Sequence, residues 1–177
     1  MESIEYIRAL IPLGLLVSFE TIKRYEEQAN KAHVGMKSVQ LSLIGVVISW
    51  FSMFMSMLLF TQLIIDPPSS WYMTIFALIL FIFLPLLALQ HLSLRVYFND
   101  EGCTITSLFG QVKNCKFTHV VDAIEKRYSG EGNGRVIILV LQNDKIKLPI
   151  SMLGGQHYDE FHSLLKHLIE QCTNKGR

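Results

Sequence analysis

Hydrophobic and polar positions obey three different rules along this chain. In residues 1–37, Ile4, Ile7, Leu10 and Ile11 recur at helical spacing, and Glu20 to Ala32 is a charged stretch of good helix formers. This predicts a cytoplasmic helical segment that either lies along the membrane interface or packs on a soluble domain. Two apolar runs follow: residues 38–65 and 67–94 each hold 28 residues without Asp, Glu, Lys or Arg. About 20 apolar residues in a helix cross a bilayer core. Spans are therefore expected at about 39–65 and 71–89, and 38–90 reads as a transmembrane hairpin. Asp66-Pro67-Pro68-Ser69-Ser70 is the turn, because two prolines cannot continue a helix. Trp71 and Tyr72 suit a membrane interface, and Pro85 predicts a kink.

Beyond residue 91 the period becomes two. Leu94, Val96 and Phe98 alternate with Arg95, Tyr97 and Asn99, and Asp100-Glu101-Gly102 makes a turn. Cys103 to Leu108 alternates again, and Phe109-Gly110 turns the chain once more. Further strands are expected at 112–117, 120–128, 135–141 and 146–150, with turn formers at 129–134 and 142–145 between them. Six short strands predict a meander curled into a barrel or sandwich. From Gln156 the period returns to 3.6: Tyr158, Phe161, Leu164, Leu165, Leu168, Ile169 and Cys172 form one helical face. That face is expected to close the open end of the strands.

Composition narrows the class. Half the chain is hydrophobic and only 18% is charged, with a net charge of +1. An ordinary soluble enzyme, a disordered chain and a disulfide-rich secreted domain are excluded on that basis, and the near-zero net charge argues against a dedicated nucleic-acid binder. Glu2 and Glu5 stand where a signal peptide would be basic, and the apolar run 9–19, interrupted by Pro12, is too short to span. Arg8, Lys23, Arg24, Lys31 and Lys37 precede the first span, none lies in the turn, and Arg95, Lys113, Lys116, Lys126 and Arg127 follow the second. The positive-inside rule then sets both termini in the cytoplasm, as a multi-pass protein of the inner (plasma) membrane. Cys103, Cys115 and Cys172 offer neither a disulfide framework nor a CxxC metal pair, and read as free thiols in a reducing compartment.

Catalytic chemistry finds no foothold. His157, His162 and His167 are five residues apart on the terminal helix, so successive rings point to different sides, unlike the i, i+4 histidines of a zinc helix. His91 and His119 have no obvious partner. GxSxG, GxxxxGK[ST] and GxGxxG are absent, and Gly130-x-Gly132-x-Gly134 precedes no helix. Asp66 lies in the outer turn rather than deep in a span, where a proton relay would need it. No enzyme activity, catalytic residue, metal or cofactor is expected.

Two other patterns remain. Ser38, Ser42, Gly45, Ser49, Ser52 and Ser56 are spaced 4, 3, 4, 3, 4, the heptad of a helix-packing seam. Its partner is either the second span of the same hairpin or another chain, so a homo-oligomer stays open. Lys113, Lys116, Lys126 and Arg127 can touch the anionic inner leaflet, but the first hairpin turn, Asn99 to Gly102, is acidic and unsuited to a phosphoinositide.

The order Val96-Tyr97-Phe98-Asn99-Asp100-Glu101-Gly102, Phe109-Gly110, Phe117-Thr118-His119-Val120, the strands 135–141 and 146–149, and the helix opening at Tyr158-x-x-Phe161 resembles bacterial pleckstrin-homology-like membrane proteins. The resemblance implies an α+β membrane protein: a two-helix transmembrane hairpin, then a cytosolic pleckstrin-homology-like barrel or sandwich over 91–177 with a C-terminal helix. The expected function is a membrane-anchored binding or scaffold module that engages a protein or peptide at the inner face of the bilayer. With 11 basic and 9 acidic residues, 91–177 suits protein contacts better than lipid headgroups. The alternative is an immunity protein against a membrane-active peptide bacteriocin.

Overall fold

The structure, a computed structural model, describes residues 2–66, 68–110, 112–128, 134–142 and 144–175. The chain divides into two compact units, 1–32 with 44–93, and 33–43 with 94–177. The fold is α+β.

The first unit is helical. Helix α1 runs Glu2–Ala32, α2 Leu43–Ile65 and α3 Trp71–Leu92. Helices α2 and α3 are long and apolar enough to cross a membrane, and only 17% and 6% of their most apolar stretches are buried. A core helix of a soluble protein would be mostly buried, so these helices present their apolar side chains outward. Ile22, Met53, Ala88 and Leu92 form the small interior, one contribution from α1, one from α2 and two from α3. Helix α1 thus belongs with the two apolar helices, an arrangement its charged second half does not advertise. It comes close to α2 at Gly14, where a Cβ would lie 2.6 Å from the Met57 methyl. Its Leu13, Leu16, Val17 and Phe19 are exposed.

Pro85 sits inside α3 without ending it. A proline has no N–H for the carbonyl four residues back, which here is Phe81. The Ser56 hydroxyl of α2 donates to that Phe81 carbonyl at 2.9 Å, and Ser56 is fully buried. A polar side chain from a neighbouring helix is one of the ways a proline is accommodated in an apolar environment. Beside it the rings of Phe60 and Phe81 stack with centroids 4.2 Å apart.

The second unit holds two antiparallel sheets. Strands β1 (Lys37–Leu41), β2 (Arg95–Phe98), β3 (Gly102–Thr106), β4 (Lys113–Lys116) and β8 (Leu153–Gly154) form a sheet in the order β4-β3-β2-β1-β8. Strands β5 (Val120–Tyr128), β6 (Gly134–Leu141) and β7 (Lys145–Leu148) form the other, in sequence order. The sheets do not close into a barrel. One core joins them, from Val39, Val96 and Phe98 on one side to Leu139, Ile146 and Leu148 on the other. Helix α4 (Tyr158–Lys175) packs on it through Phe161 and Leu165, both fully buried, with the Phe98 and Phe161 rings 4.9 Å apart.

Two expectations change. The first apolar run does not begin a span at residue 39. Residues 37–41 are a strand, paired with β2 from Lys37↔Phe98 to Gln40↔Arg95 and with β8 at Leu41↔Leu153. Val39 and Leu41 are buried while Ser38 is half-buried and Gln40 exposed, a period of two that the absence of charge conceals. Nor does β2 have a wet face: Arg95 and Tyr97 are buried like Val96 and Phe98, and the His33 ring stacks on Tyr97 at 4.3 Å. Residues 129–133, most of the expected glycine-rich loop, lie outside the described residues.

Candidate functional site

The most developed surface feature of the second unit follows from a change of sheet. After β4 the chain makes a single 3-10 turn, Phe117–His119, and enters β5. Consecutive strands would ordinarily pair, but β4 ends one sheet and β5 begins the other. The register of β5 against β6 is irregular between Val120 and Asp122. Such an irregularity bends a strand and interrupts its pairing. The result is a cleft of about 650 Å³, lined among others by Asn114, Lys116, His119, Val121 and Leu141.

Each terminal strand leaves one row of backbone donors and acceptors without a strand neighbour. Val121 is 61% exposed in this cleft, an apolar β-branched side chain beside two basic groups. Lys113 reaches Asp144 at 3.9 Å, both side chains largely exposed, so the pair contributes little. The cleft therefore combines unpaired strand edges, an apolar contact and mixed charge.

The sequence-predicted site residues fall elsewhere or apart. Of the spaced small residues, Gly45, Ser49, Ser52 and Ser56 lie on α2, with Ser49 and Ser56 buried. Ser38 lies in β1 and Ser42 between β1 and α2, where its N–H donates to the Met152 carbonyl at 2.7 Å. The six positions therefore do not share one helix, and the heptad is interrupted by the strand. Lys113 and Lys116 are on β4, whereas Lys126 and Arg127 are at the far end of β5. Six strand residues at about 3.3 Å each put Lys126 about 20 Å from the start of β5. The four cations form no single patch.

The histidines disperse as well. His91 lies in the last turn of α3, His119 ends the 3-10 turn, His157 sits 3.6 Å from Glu160, and His162 stacks on Tyr158. No three His, Cys, Asp or Glu side chains among the described residues are grouped to hold a metal ion. Lys37 of β1 pairs with Glu160 of α4, and its hydrogen bond, with help from His157, holds the Glu160 carboxyl below its ordinary value.

Sequence spacing also left one juxtaposition unread. Cys103 and Cys115 face each other across β3 and β4. Each is six residues from Phe109 in the hairpin turn, which is the signal that could have paired them. No protein-family model, no curated protein and no solved structure matches the chain.

Proposed function

We propose that the chain is a membrane-anchored, non-catalytic binding module of the pleckstrin-homology-like kind that engages an extended protein or peptide segment at the inner face of the membrane. The observation that carries this reading is the cleft between the terminal strands β4 and β5, with Val121 exposed in it. An extended segment can add to a free strand edge through main-chain hydrogen bonds while side-chain pockets choose its sequence. The order of strands and the terminal helix on a shared core support the pleckstrin-like assignment.

The anchor is the pair α2 and α3. Strand β1 ends at Leu41 and β2 begins at Arg95, yet the two are neighbours in one sheet. The chain between them must leave and return on the same side of a bilayer, which fits two crossings and not one. Basic residues on both sides of the hairpin, and none in its turn, favour the cytoplasm for the sheet unit.

A photoreactive amino acid at Val121, with exposed Lys147 on β7 as the control position, tests the reading in cells. A light-dependent protein adduct is expected at Val121 and none at Lys147. Equal adducts at both, or none at Val121, remove the cleft as the binding surface. Protection of a sensitive strain from a membrane-active peptide without a Val121 adduct would assign the immunity role instead.

A further inference from the structure

Cys103 and Cys115 are register partners in the β3–β4 hairpin, and both belong to the core of the second unit. Directly opposed residues of an antiparallel pair hold their Cα atoms about 4.5–5.5 Å apart. A disulfide needs about 4.4–6.8 Å. Side chains of opposed residues also leave the same face of the sheet, so the two sulfurs meet without backbone movement. Both residues are nearly sealed, at 2% and 3% exposure, with their side chains on the core face of the sheet beside Phe98, opposite the face of Tyr97, Thr104 and Asn114. Sealing of this degree bars a bulky oxidant and leaves only a small neutral one.

The close approach is enforced by the neighbouring glycine. A Cβ at Gly102 would stand 2.2 Å from the Cys115 carbonyl oxygen, so only glycine lets the strands come this near. The thiols are also chemically unequal. The hydrogen bond between them lowers Cys115 from its ordinary value and, together with burial, raises Cys103. A lowered thiol has more thiolate, the nucleophilic form.

We infer that Cys103 and Cys115 are a peroxide-sensitive dithiol that oxidises reversibly to a disulfide stapling the β3–β4 hairpin. The Cys115 thiolate attacks one oxygen of hydrogen peroxide. The O–O bond breaks, hydroxide leaves, and Cys115 becomes a sulfenic acid. Cys103 gives its proton to that hydroxide, and its sulfur attacks the Cys115 sulfur. The S–S bond forms, the S–O bond breaks, and the departing hydroxide takes up a proton as water. Two thiols lose two electrons in total, and one peroxide becomes two waters. Cys172, half-buried on α4, is the third thiol and takes no part. This inference is independent of the binding reading.

The full-length protein in detergent is treated with hydrogen peroxide, unfolded, alkylated and weighed. Alkylated thiols should fall from three to one, a peptide map should link Cys103 to Cys115, and dithiothreitol should restore all three. Glutathione disulfide, too large for so sealed a site, should act far more slowly than peroxide. Cys172→Ser should fall from two thiols to none, and Cys103→Ser should leave a sulfenic acid on Cys115 that dimedone traps. Three alkylated thiols after peroxide, or a bridge involving Cys172, would overturn the pair. The wild-type peptide map decides the matter whether or not the variants fold.

Discussion

The helical unit and the sheet unit solve the same packing problem in opposite ways. The sheet unit gathers fourteen buried residues from eight strands, the 3-10 turn Ile150–Met152 and α4 into one core. Among the described residues the helical unit has four in its core cluster, and its large apolar side chains, among them Phe51, Phe54, Phe76, Ile79 and Phe83, point outward. Water drives the first arrangement, since burying apolar surface is favourable there. In lipid that drive is absent between helices, so close contacts and hydrogen bonds must hold them together. The Ser56 hydroxyl on the Phe81 carbonyl and the tight approach at Gly14 are contacts of this kind. The lesson is that exposure of apolar residues is a defect in one unit and the organising feature of the other.

The largest expected effect separates the two cores. Phe161→Ala empties a fully buried site and should cost the sheet unit about 3–5 kcal/mol. Met53→Ala, equally buried in the helical unit, should cost at most about 2 kcal/mol, because lipid solvates the same groups as well as protein does. Both tryptophans, Trp50 and Trp71, lie on the helices, so their fluorescence follows one unit while far-ultraviolet circular dichroism follows both. Phe161→Ala should lower the dichroism transition and leave the tryptophan transition in place. A common shift of both signals would merge the units into one cooperative block.

Next in size is the hydrogen bond that replaces the one Pro85 cannot make. Ser56→Ala should cost about 1 kcal/mol by leaving the Phe81 carbonyl without that partner. In a Pro85→Ala background the helix supplies its own N–H, and the same change should cost nearly nothing. A double-mutant cycle measures the coupling. Additive effects would mean that Ser56 and Pro85 are unconnected.

The β1–α4 ion pair should give a smaller, pH-dependent effect. Glu160 has a lowered pKa in the folded chain, through its bond to Lys37. Its contribution is therefore present above the ordinary glutamate value and lost as pH falls through the lowered one. Lys37→Met should lower stability slightly at neutral pH, by an amount that vanishes as pH falls through that window, so that the acid limb of the stability curve flattens. An unchanged acid limb would make the pair irrelevant. Thr106 is the smallest case. Its buried hydroxyl has no hydrogen-bond partner, so Thr106→Val should be neutral or stabilise by up to about 1 kcal/mol in chemical denaturation. A clear loss would show that the hydroxyl has a partner after all.

Much of this contrast was legible beforehand. The helix face from Tyr158 to Cys172 follows directly from its spacing, and strand 135–141 from a short aliphatic run bounded by turn formers. Strand β1 was not legible. A charge-free run of 28 residues looks like one span, yet α2 takes 23 of them and the remainder supplies strand residues. Ser and Gln are polar enough to face out of a sheet but uncharged enough to pass inside a membrane pattern. The seam of small residues loses its first two members for the same reason, since they belong to that strand and its exit. The cleft needed the break between β4 and β5, a tertiary event with no periodic signature.

The central claim is that the sheet unit is assembled from both sides of the apolar helices, with β1 as an interior strand. It is tested by expressing residues 94–177 alone beside the same segment preceded by residues 33–43 and a flexible linker. The segment alone should aggregate or lack slowly exchanging amides in β2, because both β1 partners, β2 and β8, lose their neighbour. The linked form should be soluble, with slow amide exchange at Val39 and Val96. If 94–177 alone folds with the same protected amides in β2, strand β1 is dispensable and the two-sided assembly is contradicted.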